Sequence, residues 1–200
     1  TPTSTATPDP GSAVRIDGAA RRGQEELMRV GLVSDTHGLV EPRLAELFRG
    51  CDLILHAGDV VKTPVLEALS RLAPVTAVRG NNDRAPDFDH LPELIEVELG
   101  AVRAVLVHQI GGRGRLLPAV RDAIARAGAR VLVYGHSHRP VALVEDGLVH
   151  VNPGAAGPRR FSLPRSAGLL EVHGRRIAVR LFDLEHPALA LLQPPLEVEV

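Results

Sequence analysis

Apolar residues arrive in short runs separated by segments of helical period. Val30–Val33 has the length and composition of a buried strand and ends at Ser34-Asp35. Pro42 to Arg49 places Leu44, Leu47 and Phe48 on one face with Gly50 just beyond, which predicts a helix. Asp52–His56 predicts a second strand. Thr63 is placed to cap a helix running to Leu72, with Pro64 in its first turn. Pro74–Val78 predicts a third strand. Leu94–Leu99 and Val102–Val107 are strand-like runs split by Gly100, the pattern of a hairpin. Leu116–Ala127 is amphipathic and stops at Gly128. Arg130–Tyr134 reads as a strand. Val141–Glu145 and Leu148–Val151 flank Asp146-Gly147, a strong two-residue hairpin signal. Leu169–Val172 and Ile177–Phe182 flank a further turn at Gly174. The first half is therefore βαβαβ and the second half mostly strands with one helix. That order predicts a sheet-rich α/β domain, two packed sheets with helices outside.

The ends of the chain break this pattern. Thr1 to Ser12 is rich in Thr, Pro, Ser and Gly and carries no apolar periodicity, so it cannot bury enough surface to offset its ordering entropy. Regular structure is expected from Met28, with residues 1–27 a disordered extension. Residues 28–200 are expected to form one domain, with a core over 28–183 and a tail over 184–200 that contains Pro187, Pro194 and Pro195. At 200 residues and 44% hydrophobic, the chain can bury one core and not two.

Charge excludes some partners. The formal net charge is -1, with 23 basic and 24 acidic residues, which predicts neither a nucleic-acid nor a membrane surface. No run approaches the ~18 apolar residues of a membrane span, and no segment has the order of a signal peptide. Cys51 is the single cysteine, so no internal disulfide can form. It reads as a small buried residue, and the chain fits a reducing, cytoplasmic compartment. A phosphorylated substrate would need local positive charge, which bound metal can supply.

Candidate metal ligands recur just after the strand-like runs. Asp35-Thr-His37-Gly38 follows the first strand, Gly58-Asp59 the second and Gly80-Asn81-Asn82-Asp83 the third. His108 follows Val107, and Gly135-His136-Ser137-His138 follows Tyr134. In α/β sheets, ligands gather beyond the carboxyl ends of strands, so these five sites are expected to converge. In extended backbone the pairs Asp35/His37 and His136/His138 would each point one way. Carboxylate, amide oxygen and imidazole suit divalent Mn, Fe, Zn and similar ions. No thiolate zinc site is possible with one cysteine. Seven ligands exceed the needs of one ion, whereas two ions sharing a carboxylate would use all seven, as in two-metal phosphoryl-transfer sites.

Taken singly, each block has a plainer reading. Asp35 and His37 could cap a helix, Asp59 could be a turn residue, Gly80–Asp83 a turn, and His136 and His138 solvated loop residues. Together and in order, the pattern D-x-H, G-D, G-N-x-D, H, G-H-x-H resembles the calcineurin-like metallophosphoesterases, most closely their small single-domain bacterial and archaeal phosphodiesterases. Asn152-Pro153-Gly154-Ala155 with Pro158-Arg159 resembles a further block of that subfamily. The resemblance covers roughly Met28 to Asp183.

The resemblance implies an α/β fold of two packed mixed β-sheets flanked by helices. It implies that Asp35, His37 and His138 hold one metal, that Asn81, His108 and His136 hold another, and that Asp59 bridges them. It also implies a hydroxide between the metals as nucleophile, with Asp59, Asn81, Asn82 and His108 as the catalytic set. Two divalent cations are expected, Mn²⁺ first, with Ni²⁺, Fe²⁺, Zn²⁺ and Mg²⁺ also compatible. The implied substrate is a small phosphodiester or nucleotide, and a homodimer is compatible with the reading.

Three positions depart from the family pattern. Asn82 stands where many relatives carry a leaving-group histidine, although the small subfamily often lacks it too. Gln109 follows His108 where glycine is usual, and Ala155 replaces a serine. The alternative from another class is a protein-interaction scaffold with a decayed metal site, against which all seven positions are filled. A phosphoprotein phosphatase fits less well, given Asn82 and the short chain. Of the remaining histidines, His56 is a candidate for supporting the site, while His90, His150, His173 and His186 read as structural or solvated. Asp83 could orient a ligand or make a turn. Arg159 could contact phosphate or form a surface ion pair. Arg113-Gly114-Arg115 reads as a solvated helix start.

Overall fold

The computed structural model describes residues 26–112, 115–160 and 162–200. The expected extension over residues 1–27 thus lies, but for its last two residues, outside the described residues, as does Arg113-Gly114. Among the described residues no helix is long and apolar enough to cross a membrane.

The chain opens with β1 (Met28–Val33), α1 (Arg43–Leu47), β2 (Leu53–His56), α2 (Thr63–Ser70) and β3 (Val75–Ala77). These three strands run parallel, β1 against β2 and β2 against β3. β1 and β2 are almost wholly apolar and buried on both faces, as parallel strands covered on each side require. β4 (Leu94–Leu99) and β5 (Val102–Val107) form the expected hairpin. Two short strands, β6 (Gly111–Gly112) and β7 (Arg115–Leu116), precede α3 (Pro118–Ala127). β8 (Val131–Val133), β9 (Val141–Glu145), β10 (Leu148–Asn152), β11 (Ser166–His173), β12 (Arg176–Asp183) and β13 (Leu196–Glu199) complete the chain.

Apart from the small β6-β7 pair, the strands form two mixed sheets, ordered β13-β12-β11-β1-β2-β3 and β4-β5-β8-β10-β9. Leu32, Leu55, Leu106, Val133, Val151 and Leu170 meet between them in the main core. Phe48, Ile54, Val65 and Leu69 bury the outer face of the first sheet under α1 and α2. Val105, Leu132, Val120 and Ala123 do the same for the second sheet under α3. The fold is therefore the expected α/β sandwich of two packed mixed sheets with helices outside.

Several local readings change. α1 is only five residues long, and Thr63 is the first residue of α2, not its cap, because Lys62 occupies that position. α3 begins at Pro118, whose fixed φ suits the first turn, so Leu116 and Arg115 belong to a strand and not to the helix. α3 ends as expected at Gly128, in the left-handed conformation. Asp146 and Gly147 both have positive φ, as the two-residue hairpin requires. The tail is built into the first sheet. β13 pairs antiparallel with β12, and Leu192, Leu196, Val198 and Val200 pack on the main core.

Candidate metal centre

The carboxyl ends of β1, β2 and β3 in one sheet and of β5 and β8 in the other lead into one edge of the sandwich. All seven expected ligands lie there. The backbone at this edge is not extended. Asp35 (φ 52°), His37 (φ 46°), Asp59 (φ 56°), His136 (φ 67°) and His138 (φ 58°) are all left-handed. The convergence of Asp35 with His37, and of His136 with His138, therefore comes from sharp turns and not from strand alternation. Left-handed backbone costs a non-glycine residue on the order of 1–3 kcal/mol, and such strain gathers at functional sites. Hydrogen bonds between the turns hold it: Asp35 N–H donates to Gly58 O (2.9 Å), His37 N–H to Asp59 O (3.0 Å) and Gly38 N–H to Val60 O (2.8 Å).

One cluster forms around Asp35. Its Oδ1 lies 3.1 Å from His138 Nε2 and 3.9 Å from His37 Nε2. The two imidazole nitrogens are 3.3 Å apart. The other cluster forms around Asn81, whose Oδ1 is 3.0 Å from His108 Nε2 and 2.9 Å from His136 Nδ1. Asp59 stands between them, with Oδ1 at 3.5 Å from His108 Nε2 and Oδ2 at 3.8 Å from His37 Nε2. The donor atoms of Asp35, His37 and His138 lie within 4.8 Å of one another, and so do those of Asp35, Asp59 and His108.

The donor chemistry fits cations. Asp35 is fully buried, and its two oxygens differ. Oδ2 accepts from Ser34 Oγ–H (2.6 Å) and His136 N–H (3.0 Å). Oδ1 accepts no hydrogen bond among the described residues despite its short distance to His138, and His138 Nδ1 is likewise buried without a partner. A bare buried carboxylate oxygen is costly unless a cation meets it. His108 Nδ1 must carry its proton, because it lies 2.7 Å from Ala57 O, which can only accept. In that tautomer Nε2 carries the lone pair, 3.0 Å from Asn81 Oδ1. Two acceptors turned to one point in this way suit a shared electrophile.

Protonation states agree with this. Burial pushes the Asp35 pKa up, but the His138 contact, the Ser34 hydroxyl and the nearby imidazoles outweigh it and hold the group below its ordinary value. Burial lowers the His37 pKa; Asp59 opposes the shift and the Arg160 charge adds to it. His37 is therefore neutral, with a lone pair available, at neutral pH.

Further side chains hold the candidate ligands in place. Asn82 donates its backbone N–H to Asp59 Oδ1 (2.8 Å) and its side-chain amide to Asp59 Oδ2 (2.6 Å). Asp83 accepts from Val61 N–H (2.7 Å) and Gly80 N–H (2.8 Å), tying the loop after β2 to the loop after β3. Fully buried His56 accepts from Gly58 N–H at Nδ1 (3.2 Å), so its Nε2–H donates to Thr36 Oγ1 (3.1 Å). Burial pushes its pKa down to about 4. Asn152, at the end of β10, donates to Gly135 O (2.8 Å) and Ser137 Oγ (3.0 Å). It holds the loop that carries His136 and His138.

Ser34 and the role of Asn152 were missed in the sequence. Neither is a ligand, and no spacing rule marks a residue that acts through another. Arg159 pairs with Glu185 at 3.6 Å, the surface ion pair of the plainer reading. Exposed His90, His173 and His186 and buried His150 take no part in the centre.

Comparison with known proteins adds to this geometry. Residues 28–175 match the family model described as the Calcineurin-like phosphoesterase superfamily domain. The chain is 34% identical over 168 residues to a Methanothermobacter thermautotrophicus protein named "Probable metallophosphoesterase", a match covering 80% of this chain and 95% of that one. It is 32% identical over 168 residues to the phosphodiesterase YfcE of Escherichia coli K12, covering 72% of this chain and 88% of the relative. A solved structure of the E. coli phosphoesterase Yfce superposes with a TM-score of 0.65 at 27% identity, covering 86% of this chain and 100% of that one. Vacuolar Protein Sorting 29 from Cryptosporidium parvum superposes at 0.72 with 21% identity, covering 87% of this chain and 99% of that one, a likeness of fold alone.

Proposed function

As the chain belongs to the calcineurin-like phosphoesterase superfamily, we propose that it is a phosphodiesterase that uses two divalent cations to hydrolyse a small phosphodiester or nucleotide. Asp35, His37 and His138 would hold one ion, Asn81, His108 and His136 the other, and Asp59 would bridge them. The observation that carries this reading is the placement of Asp59, one oxygen toward His108 and the other toward His37. Mn²⁺ is the first ion to test, followed by Ni²⁺, Fe²⁺, Zn²⁺ and Mg²⁺. Bound cations supply Lewis-acid stabilisation of phosphoryl oxygens and acidify water near neutral pH.

The chain's own residues prepare the site for that chemistry. Ser34 and the His136 amide saturate one oxygen of Asp35 and leave the other for a cation. Ala57 O fixes the His108 tautomer so that Nε2 offers its lone pair. Asn82 has no proton to give as a general acid, and its amide is occupied by Asp59. Leaving groups that need little protonation are therefore favoured, which suits activated diesters.

The test is hydrolysis of bis-p-nitrophenyl phosphate and p-nitrophenyl phosphate by chelator-stripped protein, with each cation added back. Metal-restored turnover that is stronger on the diester supports the reading. Absence of both metal binding and turnover overturns it in favour of an interaction scaffold on the same fold.

A further inference from the structure

Beside the Asn81–His108 half of the centre lies a cavity of about 290 Å³. That is near the lower end of small-molecule sites, roughly 300–1,000 Å³. Asn81 and His108 belong both to the centre and to the wall of this cavity, so its occupant lies against two of the candidate ligands. The rest of the wall sets the apolar Leu94, Val107, Leu117 and Val120 beside the Arg79–Glu93 ion pair and Gln109. Val107 and Val120 are part of the core beneath α3, which makes this wall rigid. Leu117 is 44% exposed at its rim.

Charge narrows the occupant. The one guanidinium among the lining residues is Arg79, and it is already matched by Glu93 at 2.7 Å and Asp89 at 3.7 Å. No spare positive charge remains for a second phosphate or a carboxylate. The polar handle is Gln109, exposed and next to His108, at the position that departs from the usual glycine. A carboxamide presents a donor and an acceptor side by side, the pattern that pairs with the edge of a nucleobase. An apolar wall with a neutral donor–acceptor handle suits a flat, uncharged heterocycle. It does not suit a sugar polyol or an anion.

We infer that this cavity seats the base of a nucleotide ester, with its face against Leu117 and Val107 and its edge toward Gln109. The inference rests on the phosphodiesterase reading above and specifies its substrate class. Leu117 and Gln109 are then specificity determinants, separate from the metal ligands.

Calorimetric titration of the full, Mn²⁺-loaded protein with inorganic phosphate, ribose 5-phosphate, and adenosine and uridine monophosphates tests it. At least one nucleotide is expected to bind about tenfold more tightly than ribose 5-phosphate, the gain from burying part of one base. Leu117→Ser introduces a cap-forming side chain at the N-cap of α3, where Leu117 makes no side-chain cap bond, so the helix does not lose stability. Gln109→Ala changes an exposed side chain. Each is expected to shrink the gap by roughly threefold or more while leaving phosphate affinity unchanged. If nucleotides and ribose 5-phosphate bind wild-type protein equally, or if the gap survives both variants, the inference is overturned and the phosphoesterase reading stands. If wild-type protein binds no phosphate at all, that reading fails and this inference with it.

Discussion

Asn82 holds Asp59 at both carboxylate oxygens, with its backbone N–H 2.8 Å from Oδ1 and its side-chain amide 2.6 Å from Oδ2. Two-point contact fixes the carboxylate plane, and with it the direction of each oxygen toward His108 and His37. Asn82→Ala keeps the backbone bond and loses the other. Partners that orient a metal ligand typically contribute 10- to 100-fold in metal affinity, and a loss of about tenfold is expected here. Competition against a chromogenic chelator measures it. Unchanged affinity would show that Asp59 is oriented without the amide.

Asp59→Asn should abolish the bridge between the two clusters. Both Asp59 oxygens accept from Asn82, so an amide here loses one of those bonds and turns a donor toward a donor. The variant should lose turnover by more than about 100-fold, beyond the effect of an orienting partner. Wild type should gain about 2.7 kcal/mol from metal at 100 times Kd, and the variant much less. Thermal unfolding with and without Mn²⁺ gives both readings, and an equal metal-induced shift in the two proteins would remove Asp59 from the ligand set.

His56 makes stability depend on pH. Its folded pKa, lowered by burial from 6.5 to about 4, lies below the unfolded value. The unfolded chain therefore takes up a proton first as pH falls. The stability from neutral His56 is complete above pH 6.5 and is lost progressively between 6.5 and 4. At 1.36 kcal/mol per unit, that loss is roughly 3 kcal/mol. His56→Asn can still accept from Gly58 N–H but does not titrate, so its urea-unfolding free energy in metal-free buffer should fall less from pH 7 to 4.5. Parallel pH profiles for the two proteins would place the titration elsewhere.

Much of this architecture is legible in the chain because its signals are local. The run from Val30 to Val33, the Asp146-Gly147 turn and the stop at Gly128 each encode their element in a few residues. The candidate ligands are legible because each follows a strand-like run. The left-handed turns leave no trace in the periodicity, although residue type carries a signal: all five strained candidate ligands are Asp or His, types enriched at positive φ. Pro194 and Pro195, just before β13, mask it in the sequence pattern. Yet Leu196-Glu197-Val198-Glu199-Val200 alternates as an edge strand should. The apolar pair Leu116-Leu117 extends the helical pattern of α3 backward, although Pro118 disfavours helical backbone at Leu117, and the pairing of Gly111 with Leu116 makes that stretch a strand. That pairing is a tertiary fact with no periodicity of its own.

Gly135 shows how tightly the site is closed. A Cβ there would overlap Ser34 Oγ and lie 2.7 Å from Asp35 Oδ2 and 2.9 Å from Ala57 O. Gly135→Ala should cost about 1–3 kcal/mol through overpacking. It should also displace the Ser34 hydroxyl that saturates Asp35. Reduced unfolding free energy together with weaker Mn²⁺ binding is the expected outcome. A loss of stability with unchanged metal affinity would show that Ser34 does not prepare Asp35.

Asn152 couples the end of β10 to the histidine loop. It is fully buried, gives its amide protons to Gly135 O and Ser137 Oγ, and accepts from Gly154 N–H at 2.9 Å. Asn152→Asp preserves shape and acceptor but has no donor for Gly135 O. It also places a buried carboxylate against that carbonyl. Leaving such a buried group unsatisfied costs about 1–3 kcal/mol, and more if the group is charged. Because the freed loop carries His136 and His138, both ligand clusters should loosen together, unlike the effect of Asn82→Ala at Asp59. Titrated against Mn²⁺, Asn152→Asp should therefore weaken every binding event in parallel, by roughly 10- to 100-fold. Weakening of a single event would show that the loop is held at only one of its histidines.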